Sequence, residues 1–214
     1  MGELLHFKRS FSSRGMEREW SWKKTAKVVV ALAFIVGVLL ANFMGREKTA
    51  GAGILNDYFV EKFKYAGINK ENLFFFILGE RIPVVILLFL LAFSSLGIVI
   101  GILNLGWQGF SIGFMLSAAV AKYGVGGILV IIGGMFPQYI LYFFVYGGYC
   151  GMAAFLGKCL HNVIPTGGIS REQMRIYGMG SLVGIALIIV FMTGIFLESY
   201  LNPYILKRMF AFIY

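Results

Sequence analysis

The side chains able to do chemistry are few and scattered. His6 and His161 are the whole imidazole complement, and no His-Glu-x-x-His occurs. A histidine-based zinc site within one chain is therefore poorly supported, and both histidines read as solvated loop residues. Cys150 and Cys159 stand nine positions apart in or beside an apolar stretch. Two thiols cannot make a disulfide framework, and they read as structural or incidental. Gly151-Met-Ala-Ala-Phe-Leu-Gly-Lys158 has the outline of a phosphate loop. Its spacing is one residue too long, Cys159 stands where a Ser or Thr hydroxyl is needed, and the segment ends an apolar run, so no nucleotide site is assigned. Glu198 closes the last apolar run. It could hold the tail or a partner, but hydration or a local cap is the favoured expectation. No catalytic, cofactor-binding or metal-ligating residue is assigned.

The elements around these residues are lipid-soluble. Apolar residues make up 59% and charged residues 14% of the chain, where a soluble domain carries about a quarter charged. The formal net charge is +9, and seven of the 19 basic residues crowd into the first 27 positions beside an apolar run. That placement reads as membrane orientation, with lipid as the contact and no nucleic acid. The apolar run after the basic segment is about 19 residues long, longer than the roughly 7–15 residues of a signal-peptide core, so an uncleaved anchor is expected.

The fold class expected is all-α: a polytopic helical membrane protein with about five spans, a broken or re-entrant helix and interfacial amphipathic helices. A basic cytoplasmic segment occupies 1–25, a helical membrane domain 26–197 and an interfacial tail 198–214. Span one is Ala26 to Met44, running outward after Trp20 and Trp22 at the interface. Residues 45–81 hold six basic and five acidic residues, with Leu55, Tyr58, Phe59, Phe63 and Ala66 at helical spacing. An amphipathic helix on the outer surface is expected there, as a platform for a partner or as a connector. Glu80 and Arg81 interrupt the apolar residues that follow, so Leu73 to Leu78 lies in the interface or extends span two. Ile82 to Leu103 is a charge-free return span with Pro83 near its start. A tight turn through Asn104, Gly106 and Trp107 then leads into a short span, Gln108 to Ala121. Val125 to Gly157 carries no charge over 33 residues and contains Gly133, Gly134 and Pro137. A half-helix followed by a full span from Pro137 is expected. Lys158, His161, Arg171 and Arg175 assign the next loop to the cytoplasm. Ser170-Arg-Glu-Gln173 fits a capping box, so the last span begins near Arg171 and runs through Gly180 to Leu197. Asn202-Pro203 reads as a cap and first helical residue for a short interfacial helix.

Away from their first few residues, where Lys27, Arg171, Glu172 and Arg175 stand, none of these expected spans contains Asp, Glu, Lys, Arg or His. Proton-coupled pumps and intramembrane proteases keep such groups for mechanism, so both classes are disfavoured. The 28 glycines are roughly twice the usual share of about 7%. Gly97/Gly101, Gly109/Gly113, Gly147/Gly151 and Gly180/Gly184 each place small residues on one helix face. Internal packing is the expected use, with homo-oligomerisation the alternative.

Two motifs carry a resemblance. Gly134-Met-Phe-Pro-Gln-Tyr-Ile-Leu-Tyr-Phe-Phe-Val-Tyr146 opens a span with Pro137-Gln138, and Phe196-Leu-Glu-Ser-Tyr-Leu-Asn-Pro-Tyr-Ile-Leu-Lys207 places Glu198, Tyr200 and Pro203 after the last one. With Leu105-Gly-Trp-Gln-Gly-Phe-Ser-Ile-Gly113 before them and the basic N-terminus, the chain resembles the stage II sporulation protein M family over nearly its whole length. The resemblance implies a non-catalytic, multi-pass scaffold of the cytoplasmic membrane. It would serve endospore engulfment at the sporulation septum and engulfing mother-cell membrane, anchoring the peptidoglycan-degrading sporulation proteins D and P. Pro137 and Gln138 would shape the broken span, and Glu198, Tyr200 and Pro203 would fix the tail. The alternative class is a channel or transporter component, motivated by the expected break near Pro137. An enzyme acting on lipid-linked wall precursors is a third class, disfavoured by the scarcity of convergent acids and histidines.

Overall fold

The computed structural model describes residues 22–44, 69–94, 96–161 and 171–213, and among these every regular element is helical. The expected basic segment up to Ser21 and the amphipathic outer helix at Leu55 to Ala66 lie outside the described residues. The helices are α1 (Trp22–Met44), α2 (Lys70–Leu91), α3 (Leu96–Tyr123), α4 (Val125–His161), α5 (Arg171–Phe196) and α6 (Asn202–Ile213), with a π-helical turn at Leu197–Leu201 joining the last two. Five segments are long and apolar enough to cross a membrane: α1, α2, α3, Gln138–Gly157 within α4, and Gln173–Met209.

Helix ends follow capping groups more closely than they follow charge. The Asn69 side chain accepts from the Glu71 and Asn72 amides at 3.1 and 3.3 Å, which starts α2 at Lys70 inside the segment expected to be loop. The Ser94 hydroxyl accepts from the Leu96 amide at 3.1 Å and starts α3. The expected turn through Asn104, Gly106 and Trp107 is therefore absent: those residues lie inside the 28-residue α3, and the chain turns at Ala92–Ser94 instead. The charge-free run from Ile82 to Leu103 includes the turn because its polar groups are hydroxyls, not charges. Gly124, in the left-handed region at φ 59°, turns the chain from α3 into α4. The expected break in α4 is likewise absent, since the backbone is helical through Gly133, Gly134 and Pro137. At about 1.5 Å per residue its 37 residues extend roughly 55 Å, well beyond a hydrocarbon core of about 30 Å.

Backbone contact holds α1 to α3. A Cβ on Gly113 would meet the Phe34 carbonyl oxygen, one on Gly109 would lie 2.7 Å from the Val30 carbonyl oxygen, and one on Gly37 would meet the Phe110 carbonyl oxygen. The contact advances in the same direction along both helices, so they run parallel. Close approach of this kind replaces the hydrophobic effect, which lipid removes, with dispersion between backbones. Of the other spaced glycines, Gly97 abuts the Leu91 carbonyl at the turn, Gly101 faces Cys150, Gly180 faces Leu156, and Gly184 faces the Phe89 ring. Gly147 meets nothing within 4 Å, and Gly151 only the Trp22 ring at 3.8 Å.

Helix α4 is the centre of the bundle. Tyr142, Val145, Tyr146, Tyr149, Ala153 and Leu156 recur at three- and four-residue spacing and are buried against Leu187, Phe191 and Ile195 of α5. The pairing is antiparallel and long. Leu156 meets Gly180, Gly148 meets Leu187, Tyr142 meets Gly194, Gly134 meets Leu206, and Gly133 meets Met209. The Tyr149 hydroxyl donates to the Gly184 carbonyl oxygen at 3.1 Å, so its polar end is not stranded. Gly113→Leu should separate α1 from α3 and lower stability by about 2–3 kcal/mol or more, whereas Gly147→Ala should stay within about 0.5 kcal/mol. Thermal unfolding in detergent, followed by helical circular dichroism, measures the difference.

Candidate functional site

The lower rungs of the α4–α5 seam are apolar, but at Tyr142 the seam becomes ionic. Arg81, midway along α2, donates through Nη2 to Glu198 Oε1 at 2.6 Å. The Tyr142 hydroxyl donates to Glu198 Oε2 at 2.5 Å, so each carboxylate oxygen has its own donor. The guanidinium also lies 4.6 Å from the centroid of the Tyr142 ring, a cation–π contact that shields its face. Tyr139 and Tyr146, about one turn to either side on α4, lie within electrostatic reach of both charges. Arg81 and Glu198 are largely covered, with side-chain exposures of 22% and 16%. Glu198 thus holds two other helices rather than acting as the hydrated residue or local cap that the sequence alone suggested.

The depth of this cluster makes it unusual. Gly151 touches Trp22, at the end of α1 that carries Lys23, Lys24 and Lys27. Tyr142 is nine residues further along α4, about 14 Å into the bundle. Arg81 is eleven residues from Lys70 and ten from Leu91, so it sits halfway across a candidate span. An isolated charge at such a depth costs about 3 kcal/mol or more. Pairing with full hydrogen bonding removes most of that cost.

Pro203 accounts for the backbone that carries Glu198. In a regular α-helix its ring would press on the Ser199 carbonyl, and it has no amide to donate. The helix widens here instead: the Asn202 amide donates to the Leu197 carbonyl, five residues back, through the π-helical turn. Asn202 has right-handed helical angles, so it is not the cap expected before α6; the chain continues from α5 into α6 with one wide turn. The Ser199 hydroxyl donates to the Phe196 carbonyl at 3.2 Å within that turn. On α4, buried Gln138 donates through Nε2 to the Gly134 carbonyl at 2.8 Å, beside the carbonyl that Pro137 leaves without an amide. Gly134 in turn faces Asn202 and Leu206. The two sequence motifs, Pro137-Gln138 and Glu198 to Pro203, therefore meet on one seam.

A family model for Stage II sporulation protein M matches residues 26–203. The chain belongs to that family. The match begins in α1 and ends at Pro203, so it covers the three middle span-length segments, most of the first and last, and every residue of the ionic cluster. Comparisons with curated proteins and with solved structures give no match.

Of the family-motif residues, Gln138 and Pro203 are buried along the seam and Glu198 is half-buried there. Tyr200 points elsewhere, stacking on Phe196 with ring centroids 4.5 Å apart. Arg81 and Tyr142 are the functional residues that sequence reasoning passed over. Arg81 had a readable signal, since apolar residues continue on both sides of it. Taking its charge as the boundary of span two, which starts that span at Ile82, places it outside the expected spans. Among the described residues no three His, Cys, Asp or Glu come together as a metal site.

Removing one charge of a covered pair leaves the other uncompensated. Arg81→Met and Glu198→Met should each cost about 3–5 kcal/mol, while the double substitution should recover most of the loss. Tyr142→Phe should cost about 1.5–3 kcal/mol, the range for a hydrogen bond to a charged group. Denaturation of the four variants in the same micelle checks both the sizes and the recovery.

Proposed function

We propose that this multi-pass member of the stage II sporulation protein M family is a non-catalytic scaffold for endospore engulfment. It anchors the peptidoglycan-degrading sporulation proteins D and P at the septal and engulfing mother-cell membrane. The observation that carries this reading is the family match across 26–203. A scaffold needs a rigid, membrane-fixed body, and the α1–α3 backbone contact and the ionic seam at Glu198 favour one. Both Glu198 oxygens are engaged within the chain, an arrangement suited to holding helices. Anchoring a hydrolase in two dimensions raises its effective concentration at the wall without new chemistry.

In sporulating cells that lack this chain, fluorescently tagged proteins D and P should lose their septal enrichment. Normal enrichment of both would end the scaffold reading. A second reading, a channel or transporter component, draws support from an ion pair and a π turn at mid-span, features that often mark transport pathways. Ion flux through proteoliposomes of the purified chain, abolished by Glu198→Gln, would favour it over the scaffold.

A further inference from the structure

Helix α2 presents a second charge at the same depth, and this one faces away from the bundle. Glu80 is exposed, has no ion pair or hydrogen bond among the described residues, and is the eleventh of 22 residues in a candidate span. Ionisable side chains inside membranes nearly always face the bundle interior and are paired, because lipid offers a carboxylate no partner. The surface around Glu80 is shaped for close approach. Gly79 has nothing within 4 Å of the position a Cβ would take, Pro83 is exposed one turn on, and Phe75 and Phe76 are exposed one turn back. Small residues flanking a polar group are what a neighbouring transmembrane helix packs against.

We infer that the Glu80 face of α2 is a docking surface for a transmembrane helix of another protein that carries a Lys or Arg near mid-membrane. Charge complementarity selects the occupant. A second copy of this chain does not fit, because among its described residues the cation at that depth is Arg81, which is already committed to Glu198. The remaining described Lys and Arg residues lie at the helix ends: Lys23, Lys24, Lys27, Lys158, Arg171 and Arg175 at one side, Lys70, Lys122, Lys207 and Arg208 at the other. The site also has local logic. Arg81 draws one face of α2 onto the bundle, and the adjacent Glu80, about 100° round the helix, turns a carboxylate outward. The inference does not depend on the scaffold reading, since synthetic helices test it without any sporulation protein.

The test uses the full chain, labelled and reconstituted in zwitterionic vesicles, with a labelled polyleucine transmembrane peptide bearing one central Lys. Energy transfer should report association about three- to thirtyfold tighter than for the same peptide with Leu in place of Lys, the span of measured interhelical polar contacts. Glu80→Gln should erase that difference. Gly79→Leu, which adds bulk in open space and leaves the fold intact, should weaken binding of the Lys peptide. Equal binding of the Lys and Leu peptides to the native chain would overturn the inference. So would undiminished Lys-peptide binding by Glu80→Gln, or energy transfer between copies of the chain that depends on Glu80.

Discussion

A guanidinium at the middle of an apolar helix must be neutralised where it stands, because snorkelling to either interface would need a reach of about 16 Å. Arg81 meets this requirement with Glu198 and Tyr142, and the solution ties three separate parts of the chain to one point. Much of the surface of α2 faces lipid, and Arg81 fixes its rotation against the bundle. The π-helical turn aims Glu198 inward, and Pro203 makes the wide turn the low-cost backbone there. Tyr142 supplies the second donor from the best-packed stretch of α4, where its own ring packs on Phe191 at a centroid distance of 5.1 Å.

The remainder of the bundle satisfies a different constraint. Lipid tails are as apolar as leucine, so helices associate by shape and by hydrogen bonds and not by exclusion from water. Two solutions appear side by side. Between α1 and α3 the backbones touch through Gly37, Gly109 and Gly113, with no side chain intervening. Between α4 and α5 large rings interlock with small residues, as Tyr142 does over Gly194 and Phe89 over Gly184. The first gives a tight pair with little polar content; the second gives a seam wide enough to enclose a carboxylate.

Much of this was readable from composition and periodicity. The all-α membrane fold, the first span over Ala26 to Met44 and the start of α5 at Arg171 follow from apolar run length and flanking polar residues. The errors share one cause, which is treating formal charge as the boundary of a span. Glu80 and Arg81 lie within α2, while uncharged Asn69 and Ser94 begin helices. Helix breakers were over-read for a related reason. Pro137 and Pro203 sit in a long helical pair, where Gln138 supplies a side-chain donor near one and a wide turn accommodates the other. No local pattern could join Arg81 to Glu198, which are 117 positions apart. Only the expectation that a charge at mid-span needs an opposite charge would have linked them.

Membership of the stage II sporulation protein M family and the enclosed ion pair describe the same object from two directions: a membrane-fixed body whose internal charge is spent on its own architecture. The central claim is that the Glu198 level lies within hydrocarbon. Ile140, two residues from Tyr142 and exposed on α4, reports that depth directly. A nitroxide at Ile140→Cys, in a chain with Cys150 and Cys159 replaced, should relax readily with oxygen and hardly at all with a water-soluble nickel chelate. Ready relaxation by the chelate would put water at that level and contradict the account.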